Sequence, residues 1–307
     1  MPQRGVTPTV RVMAACTRGL PMHKPARIPI RRSSAGDAIA ALRQGDREIA
    51  QQRPDAAERI AREFLGRRHQ SPEALHLLGR ALLAQQRPDE AIAPLEQAAR
   101  LRTDPAIETD LAIALRDTGQ LADARIWFER ATTRQPPFAE AFMGLGMLLR
   151  STRQHAEAEA IVKRGLDVAP SMPELSMVLG GLCLDRADTA NAKVAFARAL
   201  ANAPGHPEAL FGFGIALLNE GEFARAAERF RQVVARDAGH VRARLNLAYC
   251  LLELGQWDDG VACLRATVKL DRKSCAEVLR MVVSSGRGRF WLKRSAAAEF
   301  FGLDDLS

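Results

Sequence analysis

Histidine and cysteine are the side chains of this chain best suited to metal binding or nucleophilic chemistry. His206 and His240 lie 34 residues apart without a recognisable third ligand. A protein zinc site needs three or four ligands, so the spacing favours two equivalent turn positions over a metal site. Cys250 and Cys263 are expected to behave as small buried apolar side chains rather than as a reactive pair.

The cysteines also bear on the compartment of the protein. Their number is odd, their spacing is irregular and no CxxC pair occurs, which argues against a disulfide framework or a zinc site. Reduced thiols and a cytoplasmic location are therefore expected. No apolar run approaches the 18 residues of a membrane span, and the segment near Val12 is too short for a secretory signal. The five cysteines are Cys16, Cys183, Cys250, Cys263 and Cys275.

Other catalytic patterns are missing from the sequence. The glycine pairs of 144–146 and 212–214 fall inside helical patterns rather than after a strand, so they predict close packing and not a phosphate loop. There is no hydrolase nucleophile elbow and no HExxH. The acidic pairs Asp258-Asp259 and Asp304-Asp305 fall in a turn and a tail. We therefore expect no enzymatic activity, no cofactor and no metal.

The net charge of +8 is concentrated at one end of the chain. Residues 1–36 carry seven basic and no acidic side chains, which leaves 37 basic and 36 acidic side chains for the rest. A duplex-binding surface needs clustered Lys and Arg, so nucleic acid is not the expected partner of the body. Segment 1–36 is predicted to be a disordered basic tail, with Met22 as an alternative start.

An internal repeat predicts the helices that carry these side chains. Two series of small residues recur at intervals of 33 or 34 residues, the second series twelve residues after the first. The first series is Gly45, Gly79, Ala112, Gly146, Gly180, Gly214 and Ala248, and the second is Ala57, Ala91, Ala124, Ala158, Ala192, Ala226 and Gly260. Numbered with the first series at position 8, the repeats are 38–71, 72–104, 105–138, 139–172, 173–206, 207–240 and 241–274.

Each unit has the pattern of a helical hairpin. Turn-forming clusters such as 117–119 and 219–221 separate two helical segments, and Pro136, Pro170 and Pro204 follow three of the second segments. The small residues allow the two helices to approach closely, while a bulky residue at position 24 fills the gap beside them. In the first unit, Glu48 replaces an apolar residue, which predicts a solvent-facing terminal surface. Stacking of successive hairpins then buries one continuous core.

These residues resemble the tetratricopeptide repeat (TPR) family over about 38–274. The resemblance rests on the spacing, on Phe142-x-x-Leu145-Gly146-x-x-Leu149, and on the run Ala192, Phe196, Ala199 and Pro204. It implies an all-α solenoid of about seven hairpins in a right-handed superhelix, whose concave groove is lined by the first helix of each pair. Segment 275–307 is then expected to cap the last repeat with the aromatic residues of 290–301, with docking of a partner by this basic-aromatic segment as the alternative.

The resemblance also implies which side chains face the groove and what they hold. The inner surface is largely apolar, and it lacks the Lys at position 5 and the Asn at position 9 with which relatives clamp a terminal carboxylate. The expected partner is an apolar or amphipathic segment of another protein, bound by a scaffold or adaptor. A nucleic-acid-associated protein with basic termini, a regulatory subunit of a separately encoded transferase complex, and self-association remain alternatives. The predicted groove residues are Met143, Met147, Arg150, Met177, Phe211, Ile215, Leu218, Asn246 and Tyr249.

Overall fold

The computed structural model describes residues 35–67 and 70–271, and the predictions for segments 1–34 and 272–307, including the C-terminal cap, lie outside these residues. The described chain consists of helices joined by short turns, without a strand. Consecutive helices pack as antiparallel hairpins. The helices are α1 (Ala35–Ala50), α2 (Pro54–Arg67), α3 (Pro72–Ala84), α4 (Pro88–Leu101), α5 (Pro105–Asp117), α6 (Leu121–Thr132), α7 (Ala139–Ser151), α8 (His155–Val168), α9 (Pro173–Asp185), α10 (Thr189–Asn202), α11 (Pro207–Asn219), α12 (Phe223–Arg236), α13 (Val241–Glu253) and α14 (Trp257–Leu270).

Local sequence explains where the helices start. Six helices begin with a proline, whose fixed φ angle suits the first turn and whose missing N–H would have no partner there. The side chains of Ser71 and Asp104 accept hydrogen bonds from the backbone N–H of Ala74 at 3.3 Å and Ala106 at 3.0 Å, which caps α3 and α5. His206 and His240 are the residues that precede α11 and α13, so the structure confirms their turn positions.

Close packing within each hairpin depends on the small residues of the repeat. A Cβ atom added to Gly79 would lie 2.4 Å from Leu95, and one added to Gly214 would lie 2.6 Å from Phe230. In both hairpins the bulky side chain at position 24 occupies the space left by the glycine at position 8, as the sequence predicts. The core runs from hairpin to hairpin because the helices pack mainly against their nearest neighbours along the chain. This architecture confirms the predicted all-α solenoid.

One terminal residue is placed differently from the expectation. Glu48 is buried rather than solvent-facing, because its carboxylate pairs with Arg53 at 2.7 Å and accepts a hydrogen bond from Gln44. Burial of a carboxylate is tolerated where charged and polar partners replace water. None of the helices that the structure describes has both the length and the apolar character that crossing a membrane requires.

The turn inside every hairpin uses one residue in the left-handed conformation, where a side chain costs about 1 kcal/mol. Ala187 (φ 58°) and Gly221 (φ 76°) occupy this place in successive repeats. We expect Ala187→Gly to raise the free energy of unfolding by about 0.5–1 kcal/mol and Gly221→Ala to lower it by about 1 kcal/mol. Urea denaturation followed by circular dichroism measures both changes. If both variants change the free energy of unfolding in the same direction by the same amount, the assignment of a left-handed residue at this turn position is contradicted.

Candidate functional site

The odd-numbered helices lie on the inner side of the array. Along the chain from α1 to α11, each odd helix contacts the next odd helix, whereas consecutive even helices do not contact each other to a comparable extent. In a curved array, the helices on the inner side lie closer together than the helices on the outer side. From α1 to α11, the odd helices therefore form the concave surface and the even helices form the convex one.

Exposed apolar side chains occupy the middle of this inner surface. Met147 on α7 is 44% exposed, which makes it the most exposed large apolar residue of α3, α5, α7, α9, α11 and α13. Met143 on the same helix and Met177 on α9 are partly buried. Flexible methionine side chains give such a surface the capacity to fit different apolar shapes. The surface continues on α9, α11 and α13 with the partly buried residues Leu184, Ile215, Leu218, Asn246 and Tyr249. We use the name apolar floor for Met143, Met147, Met177, Leu184, Ile215, Leu218, Asn246 and Tyr249.

Phe211, which the sequence assigns to the groove, is only 8% exposed. Its ring centroid lies 5.8 Å from that of Phe230 and 5.0 Å from that of His240, and the guanidinium of Arg242 lies 5.1 Å from the ring. The ring is therefore packed between repeats and covered by a cation. A signal for this contact exists in the sequence, since Arg242 occupies position 2, where four earlier repeats carry Glu.

The inner surface of the first three repeats carries polar side chains that pair with each other. Arg80 donates to Asp46 at 2.6 Å, and His76 Nε2 lies 2.6 Å from Asp110 Oδ2. Each pair joins consecutive odd helices across a sequence separation of 34 residues. None of these four residues is among the predicted groove residues, although oppositely charged residues one repeat apart are the sequence signal for such pairs. The inner surface of α1–α5 is therefore mixed, since it carries these pairs beside Ile39 on α1, which is 54% exposed, whereas the methionine-rich part begins at α7.

Arg150 connects the apolar floor to a polar pocket. Its Nε and Nη2 atoms donate to the two carboxylate oxygens of Asp185 at 2.5 and 3.0 Å, so α7 and α9 are joined by a bidentate ion pair. The hydrogen bond from Arg150 lowers the pKa of Asp185. The guanidinium lies over Gly181, where an added Cβ would be 2.3 Å from Nη1. The adjoining pocket has a volume of about 490 Å³ and is lined by Met147, Arg150, Ser151, Arg153, His155 and Asp185.

A rim of carboxylates follows the beginning of three inner helices. Glu140, Glu174 and Glu208 lie in the first turns of α7, α9 and α11, where a negative charge complements the helix dipole. None of the three forms an ion pair with a residue that the structure describes, whereas Glu73 pairs with Arg102 at 3.2 Å. The apolar floor thus lies beside uncompensated negative charge on one side and Arg150 on the other.

The described cysteines do not provide a nucleophile. Burial raises the pKa of the Cys250 thiol to about 12 and also raises the pKa of Cys263, so both remain thiols at neutral pH. Cys263 Sγ donates to the backbone carbonyl of Arg244 at 3.3 Å. In residues 35–67 and 70–271, no three His, Cys, Asp or Glu side chains are grouped as a metal site would require.

Comparisons with solved structures place this architecture among known repeat proteins. A chain of the APC/C hetero-tetramer Cut9–Hcn1 aligns with a TM-score of 0.66 at 13% identity, covering 80% of this chain and 47% of that one. A thermophilic TPR protein from Thermus thermophilus gives 0.53 at 25% identity, covering 59% and 99%. YrrB, described as a TPR protein with an unusual peptide-binding site, gives 0.50 at 21%, covering 61% and 96%.

The comparison with curated proteins finds no significant match. Family models described as tetratricopeptide repeat match residues 42–106, 109–173, 143–207 and 217–282, which together span more than half of the sequence. The repeat spacing, the small residues between paired helices and these matches agree. The chain belongs to the tetratricopeptide repeat family, whose fold serves generally as a scaffold for protein–protein interaction.

Proposed function

We propose that this protein is a non-catalytic scaffold whose apolar floor binds an apolar or amphipathic segment of another protein. The exposure of Met147 on the inner surface is the observation that carries the proposal. An apolar side chain left accessible on a concave surface, with partly buried apolar neighbours on α9 and α11, is typical of a binding groove. The peptide-binding site described for YrrB supports the same kind of partner.

The convex surface is the competing location for an apolar partner. Val194 on α10 is 68% exposed and Ile126 on α6 is also exposed, both at position 22 of their repeats. The repeat between them carries Ala160 at that position, so these two side chains do not form a continuous patch. Single exposed apolar residues are ordinary on protein surfaces. The inner surface is favoured because its apolar side chains occupy consecutive odd helices.

Peptides selected from a random display library on the full chain provide the test. We expect the selected peptides to be rich in apolar residues and to lose at least tenfold in affinity for Met147→Glu combined with Met177→Glu. A carboxylate at either position would have to be desolvated on binding. Fluorescence anisotropy with a labelled peptide measures the loss, and circular dichroism confirms that the helices remain.

The matched control is Val194→Glu, which makes the same chemical change on the convex surface. Its affinity for the selected peptides is expected to equal that of the wild type. Equal losses for the convex and concave variants, or no loss for either, would refute the groove. Light scattering on the free chain distinguishes a foreign segment from a second copy as the occupant, because self-association through the floor would give a dimer that the Met147→Glu change dissociates.

A further inference from the structure

The pocket beside Met147 contains more hydrogen-bond donors than its own residues satisfy. Arg150 uses Nε and Nη2 on Asp185, while its Nη1 atom has no hydrogen-bond partner among the described residues. Arg153 is exposed, and its side chain forms no hydrogen bond or ion pair with the described residues, although its backbone N–H donates to the carbonyl of Arg150 at 3.0 Å. His155 Nδ1 is buried from solvent and likewise has no hydrogen-bond partner. These three side chains line the same pocket of about 490 Å³.

The charges of the pocket define the class of ligand that fits it. Asp185 neutralises one of the two guanidinium groups, so one positive charge remains when His155 is neutral. A monoanion matches that charge, whereas a dianionic phosphate would leave one negative charge without a partner. A planar guanidinium group is suited to donating two parallel hydrogen bonds to a planar carboxylate. His155 belongs to the wall of the pocket, and its Nδ1 atom is buried from solvent, so the two arginines are the donors that a ligand can reach.

We propose that Arg150 and Arg153, in the pocket that His155 helps to line, bind the carboxylate of an acidic residue in the segment that occupies the apolar floor. This inference rests on the proposed function, because Met147 belongs both to the floor and to the wall of the pocket. An apolar residue of the bound segment would pack on Met147, and a nearby Asp or Glu of that segment would enter the pocket. The pocket therefore fixes the position of the segment along the groove, while the floor supplies the apolar contact.

The location of these side chains separates this site from the clamp with which relatives hold a terminal carboxylate. Arg150, Arg153 and His155 occupy positions 12, 15 and 17 of the fourth repeat, at the end of α7 and the beginning of α8. Asp185 comes from the end of α9 in the next repeat. No other repeat has both a basic residue at position 15 and a histidine at position 17. The fourth repeat is therefore the one that anchors the acidic residue.

A double-mutant cycle between chain and peptide tests the proposal. The variant is Arg153→Gln, because Gln52 and Gln86 already occupy the same left-handed turn position in the first two repeats and folding should be unaffected. The probes are peptides selected from a random display library on the full chain, each synthesised with an amidated C terminus and with its acidic residue changed from Glu to Gln or from Asp to Asn. The control variant is Arg59→Gln, an exposed arginine on α2 with no ion pair in the described chain.

The two changes should each weaken binding by about tenfold and should not add. The peptide that keeps its Glu or Asp should lose about tenfold in affinity for the Arg153→Gln chain and none for the Arg59→Gln chain. The peptide with Gln or Asn at that position should bind the wild-type and Arg153→Gln chains with affinities within about twofold of each other. Raising NaCl from about 50 to 300 mM should weaken the acidic peptide selectively, since the contact is partly exposed to solvent. If the peptide with Gln or Asn in place of its acidic residue regains the lost affinity when its C terminus is left free, the bound carboxylate is that of the chain end, which would contradict binding of an acidic side chain.

Several results would overturn the inference. Selected peptides without acidic residues would do so, as would equal losses for Arg153→Gln and Arg59→Gln or additive losses in the cycle. If Met147→Glu combined with Met177→Glu still abolishes binding in those cases, the proposed groove stands without the anion pocket. Carboxylate-dependent binding that survives the methionine changes would instead support the pocket and refute the apolar floor. Failure to select any peptide on the inner surface would refute both.

Discussion

Replacing Arg134 with Ala is expected to lower the free energy of unfolding by about 3 kcal/mol. The side chain of Glu108 is only 2% exposed and lies on α5 at a position where most other repeats have an apolar residue. Arg134 donates to both of its oxygens, at 3.0 and 2.6 Å, and Arg130 adds a longer contact at 3.4 Å. Removal of Arg134 leaves a buried carboxylate with one distant cation. Urea denaturation of the purified chain measures the loss.

The opposite substitution should be much less harmful. Glu108→Leu removes the buried charge and leaves two arginines whose side chains are 32% and 48% exposed, so they can turn toward water. We expect a loss of about 1 kcal/mol or less, because apolar replacement of a buried ion pair is often close to neutral. The double variant should resemble Glu108→Leu alone. Equal losses for the two single variants would show that the burial of Glu108 does not determine the cost.

Replacing Phe128 with Ala is expected to cost about 3–5 kcal/mol. Phe128 on α6 is fully buried, and its ring lies where a Cβ atom on Gly144 of α7 would be, 2.3 Å from Cε1. The ring therefore joins the third hairpin to the fourth across a glycine. Loss of the ring opens a cavity between repeats, which thermal and urea denaturation detect as a lower midpoint.

Gly144→Ala should also destabilise the chain, by about 1–2 kcal/mol, since the overpacking penalty exceeds the gain in helix propensity. In the double variant the new methyl group fills part of the space left by Phe128, so the two losses should be less than additive. The matched control is Gly66→Ala in α2, where an added Cβ meets nothing within 4 Å. That change should leave stability equal or slightly higher, and a loss as large as that of Gly144→Ala would contradict the packing explanation.

The fold could be predicted from the repeat pattern because every hairpin makes the same contacts between equivalent positions. Gly79 against Leu95 and Gly214 against Phe230 are the same contact in different repeats, so a regular spacing of small and bulky residues is sufficient to predict it. The turn positions of His206 and His240 follow from the same regularity. The candidate site depends instead on features found in single repeats, and a periodic pattern contains no information about them.

Phe211 and Glu108 illustrate this difference. Phe211 occupies a position assigned to the groove, yet it is buried because Arg242 in the next repeat covers its ring. Glu108 is buried because Arg134 follows 26 residues later, in the turn after α6. The unsatisfied donors near Arg150 likewise depend on where side chains meet around one turn. Each of these contacts joins side chains that are present in one repeat only, so it could be identified only from the three-dimensional structure.

The most direct measurement of the central claim is the location of a bound peptide on the full chain labelled with ¹³C at the methionine methyl groups. Met143, Met147 and Met177 lie on the apolar floor, and Met172, which precedes α9, serves as the reference outside it. Addition of a peptide selected on the wild-type chain should shift the Met143, Met147 and Met177 signals in a saturable way and leave Met172 nearly unchanged. Saturable binding that leaves those three signals in place would contradict the proposal that the inner surface is the binding groove.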